Sequence, residues 1–84
     1  MNLAIQCELI NSRENLVQFI QALVLDFHND PDSWENNDIS RFLVSLGAWV
    51  EDMNGYYLNK GDSVPQCPDW KNVGEMLLAA KIYE

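Results

Sequence analysis

Apolar residues recur at three- and four-residue spacing in three separate stretches of this 84-residue chain. Because an α-helix has 3.6 residues per turn, that spacing places the side chains on one helical face. The stripes are Leu16, Phe19, Ile20, Leu23, Val24 and Phe27, then Ile39, Phe42, Leu43, Leu46, Trp49 or Val50, Met53 and Tyr57, then Trp70, Val73, Leu77 and Ala80. Three such faces joined by polar loops predict an all-α fold, a compact three-helix bundle.

Capping residues and helix breakers place the helix ends. Ser12 begins the first helix, which runs to about His28, before Pro31. Either of the polar residues at positions 37 and 38 caps the second helix. The Asn54-Gly55 pair is a common C-terminal signal, but Tyr56, Tyr57 and Leu58 follow it at once, so the helix either breaks there or continues for another turn. We prefer an end between Asn54 and Leu58. Asp69 caps the third helix.

Residues 1–10 fit two patterns. Leu3, Ile5, Cys7 and Leu9 alternate as in a half-buried strand, whereas Leu3, Cys7 and Ile10 fit a helical stripe. A single strand without a sheet partner could not satisfy its backbone hydrogen bonds. We therefore expect a short helix or an irregular arm, which could add a short fourth element to a single domain over residues 1–84.

Acidic residues strongly outnumber basic ones. Thirteen Asp and Glu against five Lys and Arg give a net charge of −8. Nucleic-acid binding needs a basic face, and anionic membrane surfaces also repel such a chain. The charge would instead favour a protein partner with a basic surface, although solubility alone is an equally simple explanation.

The sequence does not indicate a metal or cofactor. Cys7 and Cys67 lie far apart without a Cys-x-x-Cys pair, so zinc is not expected. Oxygen ligands between Asp26 and Glu35 lack the spacing of a calcium loop, and His28 is better explained as a residue at a helix C-terminus. We therefore predict no metal and no cofactor.

The N-terminus and the length of the apolar stretches bear on location. The first residues lack a basic start and carry Glu8 in their short apolar run, which argues against a signal peptide. No apolar stretch approaches the roughly 20 residues that span a bilayer. We expect a cytoplasmic protein with reduced thiols.

Two segments combine carboxylates with aromatic side chains, a composition expected where a basic partner docks. The candidate partner-binding residues are Asp32, Trp34, Glu35, Glu51, Asp52, Tyr56 and Tyr57. Glu51 and Asp52 point about 100° apart on a helix, so they do not form a catalytic pair. A solvated helix face beside core aromatics is the simpler alternative, and we predict no enzymatic activity because too few titratable groups converge.

The run from Trp49 to Tyr57 has the pattern Trp-x-Glu-Asp-Met-x-Gly-Tyr-Tyr. It resembles the signature of a family of small bacterial proteins, domain of unknown function 7660. Trp34-Glu35, Pro65, Trp70 and the segment 76–84 are similar too, whereas the family commonly has Asp where this chain has Asn54. The resemblance implies a bacterial, cytoplasmic, single-domain protein and implies no activity.

These observations favour a small acidic protein-binding domain. Our first hypothesis within that class is an immunity protein or antitoxin that masks a basic toxin surface by charge complementarity. The alternative is a self-associating structural domain. The apolar stripes could exceed what three short helices cover, which would leave a face for a homodimer.

Overall fold

The computed structural model describes residues 2–83, and these residues form four α-helices without any strand. The helices are α1 (Leu3–Glu8), α2 (Arg13–Asn29), α3 (Ile39–Asn59) and α4 (Trp70–Ala80), with a single 3₁₀ turn at Pro31–Ser33. The predicted all-α fold is confirmed. Residues 1–10, for which a helix or an irregular arm was expected, contain the short helix α1. None of the helices within residues 2–83 is long and apolar enough to span a bilayer.

A polar side chain caps the N-terminus of every one of these four helices. Ser12 and Asp69 cap α2 and α4 as predicted, and Asp38 is the residue that caps α3. Asn2 caps α1, where its side chain accepts the amide hydrogen of Ile5 across 2.8 Å. Each cap satisfies a backbone N–H that has no partner inside its own helix.

Helix α3 continues through the Asn54-Gly55 pair to Asn59, one residue beyond the range preferred for its end. Gly55 does not adopt the positive φ that ends a helix at an Asn-Gly pair, and the positive-φ glycine is Gly61, with φ of 80°. Tyr56 and Tyr57 stabilise the continued helix, since both rings pack against Trp49 about two turns earlier.

The last and rather short helix, α4, lies at the centre of the fold. It packs against α1, α2 and α3, whereas α2 and α3 do not pack against each other within the described chain. Gly74 lets the residues just after α1 pack closely against α4, because a Cβ atom at position 74 would lie 2.5 Å from Cδ1 of Ile10. The buried core consists of Cys7, Ile10, Leu16, Phe19, Leu23 and Trp34.

Candidate functional site

An apolar groove lies between α2 and α3, where these two helices leave a gap beside α4. Its volume is about 420 Å³. The α2 side is formed by Ile20, Val24 and Phe27, while Phe42 comes from α3 and Leu77 from α4. His28 is the one ionisable side chain in this lining. The groove therefore offers almost no polar groups to whatever occupies it.

A second cavity of about 340 Å³ extends the groove toward the connection between α2 and α3. The two cavities share Phe27, Trp34 and Phe42, and the second one adds residues 36–39. Trp34 meets Phe27 edge-on at 5.4 Å between ring centroids and lies 6.1 Å from Phe42. These three rings therefore join α2 to α3 across the gap.

Trp34 is held in the interior by polar contacts. Its Nε1–H donates to Oδ2 of Asp26 across 2.8 Å, and Nζ of Lys81 donates to the same oxygen across 2.9 Å. The hydrogen bonds from Lys81 and Trp34 lower the pKa of Asp26 below its ordinary value. Trp34 was predicted to contact a partner, but its side chain is 8% exposed. It lines both cavities of the groove but is otherwise buried.

Asn36 fixes the segment after Trp34 to the end of α4. Its Nδ2 donates to the carbonyl oxygens of Ala80 at 2.9 Å and Tyr83 at 2.8 Å. Its backbone N–H donates to the carbonyl oxygen of Lys81 at 3.2 Å. Carbonyls at a helix C-terminus lack partners within the helix, so this buried side chain acts as their cap. The wall of the second cavity is consequently well anchored.

Residues 30–38, which we name the acidic segment, border this end of the groove. They include four exposed carboxylates, at Asp30, Asp32, Glu35 and Asp38. Asp38 caps α3 and lies 3.9 Å from Arg41. By contrast, the carboxylates of Asp32 and Glu35 make no hydrogen bond or ion pair to any residue between 2 and 83. Nη2 of Arg41 donates to the backbone carbonyl oxygen of Glu35 across 2.6 Å, and Asp38 lines the second cavity. With four carboxylates and this one nearby cation, the acidic segment keeps a net negative charge.

The other predicted residues form a separate group near the C-terminal end of α3. Glu51 and Asp52 are exposed, and Asp52 accepts the hydroxyl hydrogen of Tyr83, which raises the pKa of that tyrosine. Tyr57 is buried at 4% exposure, so it has no free face for a partner. Fifteen residues of helix separate it from Phe42, about 22 Å along the axis. The structure thus does not bring the two predicted groups together.

A buried carboxylate that the sequence did not reveal lies beside this second group. Glu75 accepts hydrogen bonds from Tyr57 at 2.7 Å, Asn72 at 3.1 Å and Tyr56 at 3.3 Å. Tyr57 and Asn72 donate to Oε1, whereas Nζ of Lys60 lies 3.6 Å from Oε2, the oxygen that Tyr56 contacts. Burial is the larger cause and the interaction with Glu75 the smaller cause that raise the pKa of Tyr57 above its usual value. These contacts join the end of α3 to α4.

One sequence signal could have identified Glu75. The α4 sequence places Asn72 and Glu75 three residues apart, so these two polar side chains are neighbours on one helical face. A carboxylate that packs in the interior needs hydrogen-bond donors, which a neighbouring Asn can supply. Glu75 is the one acidic residue of α4.

The other chemically reactive groups form no centre within the described chain. No group of three or more His, Cys, Asp or Glu residues there is arranged to hold a metal ion. Cys7 and Cys67 are both free thiols. Burial and the nearby Glu75 raise the pKa of Cys7 to about 11, so its thiol stays protonated at neutral pH.

Comparison with known families shows where this chain belongs. The model of a family described as a family of unknown function, DUF7660, matches residues 12–84. The chain belongs to the DUF7660 family. In this DUF7660 protein the matched range contains α2, α3 and α4, and therefore both the groove and the acidic segment, whereas α1 precedes it. Neither the curated proteins nor the solved structures gave a match.

Proposed function

We propose that this DUF7660 protein is a protein-binding domain whose partner presents a basic surface. The observation that carries the proposal is the apolar groove, whose second cavity is lined in part by the acidic segment. In that segment the exposed carboxylates of Asp32 and Glu35 have no hydrogen bond or ion pair within residues 2–83. Protein interfaces combine a desolvated apolar centre with a polar rim that selects the partner by charge. In this role the groove supplies affinity, and the acidic segment supplies specificity and fast association.

The two predicted groups of residues have different roles under this proposal. Asp32 and Glu35 contact the partner, while Trp34 holds the groove in shape from the interior. Glu51 and Asp52, together with Tyr56 and Tyr57, lie about 14 to 22 Å from Phe42 along the axis of α3 and are left outside this contact surface. Binding without catalysis is the proposed activity.

Within this class of protein, we propose an immunity protein or antitoxin that acts in the cytoplasm. Toxins that cleave nucleic acids hold phosphate in basic active sites, which an acidic domain of net charge −8 can cover. The long-range attraction would also make neutralisation fast at low ionic strength.

A self-associating domain is the rival, and one feature favours it. Several large apolar side chains remain exposed on the flanking helices, among them Ile20, Val24, Ile39 and Leu43. However, two copies that each carry a charge of −8 repel one another, which opposes a homodimer. A partner of opposite charge covers the same apolar surface without that cost.

Site-specific photo-crosslinking in the host cell tests the proposal. A benzoylphenylalanine residue replaces Val24, which lines the groove, or Val17, which is not among the groove residues; both are 49% exposed. We expect a covalent adduct with a second protein from position 24 but not from position 17. The purified partner should then bind the wild type more weakly as salt rises. Equal adducts from both positions, or crosslinked homodimers from position 24, would contradict the proposal.

A further inference from the structure

We infer that the groove binds one amphipathic α-helix of the partner, with three apolar side chains in the groove and Lys or Arg residues over the acidic segment. This inference rests on the proposed protein-binding function and adds the conformation and chemistry of the bound segment. Three properties of the groove support it: its lack of polar groups, its dimensions and its charge.

The apolar lining requires a segment that satisfies its own backbone. His28 is the single ionisable residue in the main cavity, and the indole N–H of Trp34 is already bonded to Asp26. An extended peptide would bury N–H and C=O groups here without partners, at a cost of about 1–3 kcal/mol each. In addition, no strand between residues 2 and 83 offers an edge for pairing. A helix satisfies its hydrogen bonds internally, so it is the conformation that this lining accepts.

The dimensions of the groove also suit a helix. Ile20 and Phe27 are seven residues apart on α2, with Val24 between them, and this separation is about 10.5 Å at the helical rise. A partner helix that presents apolar residues at i, i+3 or i+4, and i+7 covers the same length.

The arrangement of the helices leaves room for such an addition. Helices α2 and α3 have 17 and 21 residues, whereas the α4 helix between them has 11. Helix α4 therefore cannot cover the full apolar faces of its two longer neighbours. A docked helix would pack on those faces as a further member of the bundle, at the usual axis separation of about 8–10 Å.

Charge decides which helix is favoured. The acidic segment carries four exposed carboxylates, and its Asp38 lines the second cavity. Arg41, which contacts Asp38 and the backbone carbonyl of Glu35, is the nearest residue in sequence of opposite sign. A helix with Lys or Arg at one end would compensate Asp32 and Glu35, whereas an acidic helix or a second copy of this chain would be repelled. A small apolar molecule is less favoured, because ligand pockets carry several converging polar groups that orient the ligand.

Two synthetic peptides test the inference directly. Both have 18 residues and the same three Leu side chains at i, i+4 and i+7, but one ends in three Lys and the other in three Glu. We expect the Lys peptide to shift the amide signals of Ile20, Val24 and Phe42 in ¹⁵N-correlated NMR spectra. Three exposed ion pairs should make its binding at least about fivefold tighter than that of the Glu peptide at low salt. High salt should remove most of this preference.

Variants of the protein provide the controls for the charge and the conformation. Asp32→Lys with Glu35→Lys should abolish or reverse the preference for the Lys peptide, and Glu51→Lys should leave it nearly unchanged because position 51 lies outside the groove. A Lys peptide with a central Pro, which breaks the helix, should bind far more weakly. The inference is wrong if the Pro peptide binds as well as the Lys peptide, or if the Lys and Glu peptides bind with equal affinity. It is also wrong if the shifted amide signals belong to residues outside the groove.

Failure of this inference can be distinguished from failure of the proposed protein-binding function. If position 24 crosslinks a partner but the peptides show no preference for charge or helix, the chemistry inferred for the segment is wrong and the binding role stands. If neither a partner nor a peptide occupies the groove, both proposals fail. Concentration-dependent shifts of the same signals without peptide would identify a second copy as the occupant and would also overturn the inference.

Discussion

Trp34 donates its indole N–H to Asp26 across 2.8 Å, and this bond fixes the aromatic ring on which the two parts of the groove meet. Lys81 completes the arrangement, with Nζ 2.9 Å from the same oxygen and 5.5 Å from the centre of the Trp34 ring. The contacts join α2, the connection to α3 and the end of α4. A groove held in this way is formed before a partner arrives, so binding does not have to order it.

The acid sensitivity of the fold should depend on Asp26. Its folded-state pKa is below the ordinary value of 3.8, so the charged form stabilises the native state above that value. This contribution is lost as pH falls through the folded pKa. We expect urea unfolding to show a smaller loss of stability between about pH 5 and about pH 3 for Asp26→Asn than for the wild type. At pH 7 the variant should be less stable by about 1 kcal/mol. Identical pH profiles would contradict the assignment.

Glu75 should be the most sensitive polar position in the protein. Its replacement by Ala removes the acceptor for Tyr57 and Asn72 and leaves Lys60 without this partner. We expect Glu75→Ala to lower the free energy of unfolding by about 3 kcal/mol, and Glu75→Gln by about half as much because an amide oxygen still accepts. Glu51→Ala, an exposed control on α3, should stay within about 0.5 kcal/mol of the wild type. Equal effects at positions 75 and 51 would rule out the buried cluster.

Gly74 and Gly47 should respond in opposite directions to alanine. An added Cβ at Gly74 would lie 2.5 Å from Ile10, whereas nothing lies within 4 Å of the same atom at Gly47. We expect Gly74→Ala to destabilise by about 1–3 kcal/mol and Gly47→Ala to stabilise by up to about 1 kcal/mol. Ile10→Val removes the clashing Cδ1, so the double variant with Gly74→Ala should lose less than the sum of the two single changes. Additive losses would show that the contact is absent.

The two thiols should differ in reactivity. Cys7 is 3% exposed with a pKa raised to about 11, while Cys67 is exposed. We expect iodoacetamide at neutral pH to modify Cys67 in the native protein and Cys7 only after denaturation, as read by peptide mass spectrometry. Cys67→Ser should leave the native protein nearly inert to the reagent. Comparable labelling of Cys7 in the folded state would mean that α1 does not shield it.

Local signals were sufficient to predict the helices. The caps Ser12 and Asp69 each act on the few residues that follow them, and apolar periodicity is likewise a relation between near neighbours. The sequence therefore contains the information that places these helices. The sequence left open whether α3 breaks at its Asn-Gly pair or continues, and the packing of Tyr56 and Tyr57 on Trp49 outweighs the turn preference of that pair. Local propensity is a weak predictor when aromatic packing opposes it.

The groove could not be predicted from periodicity alone. Ile20 and Val24 lie on the predicted apolar stripe of α2, yet they are 40% and 49% exposed. A stripe indicates which face is apolar but not whether another element covers it, and here α4 is too short to do so. The burial of Trp34 likewise depends on Lys81, 47 positions later in the chain, through Asp26. Such distant pairings leave no periodic signal.

The most direct test of the groove as the partner-binding site compares Val24→Asp with Val17→Asp. Both valines lie on α2 and are 49% exposed, but Val24 lines the groove and Val17 does not. Equal exposure makes the two changes similar in their effect on stability, which urea unfolding verifies. Calorimetric titration with the purified partner, identified by its crosslink to position 24, then measures the affinity of each variant. We expect Val24→Asp to weaken binding at least about tenfold, because a carboxylate would be buried against apolar side chains, and Val17→Asp to change it less than about twofold. Equal losses, or none at position 24, would contradict the assignment of this groove.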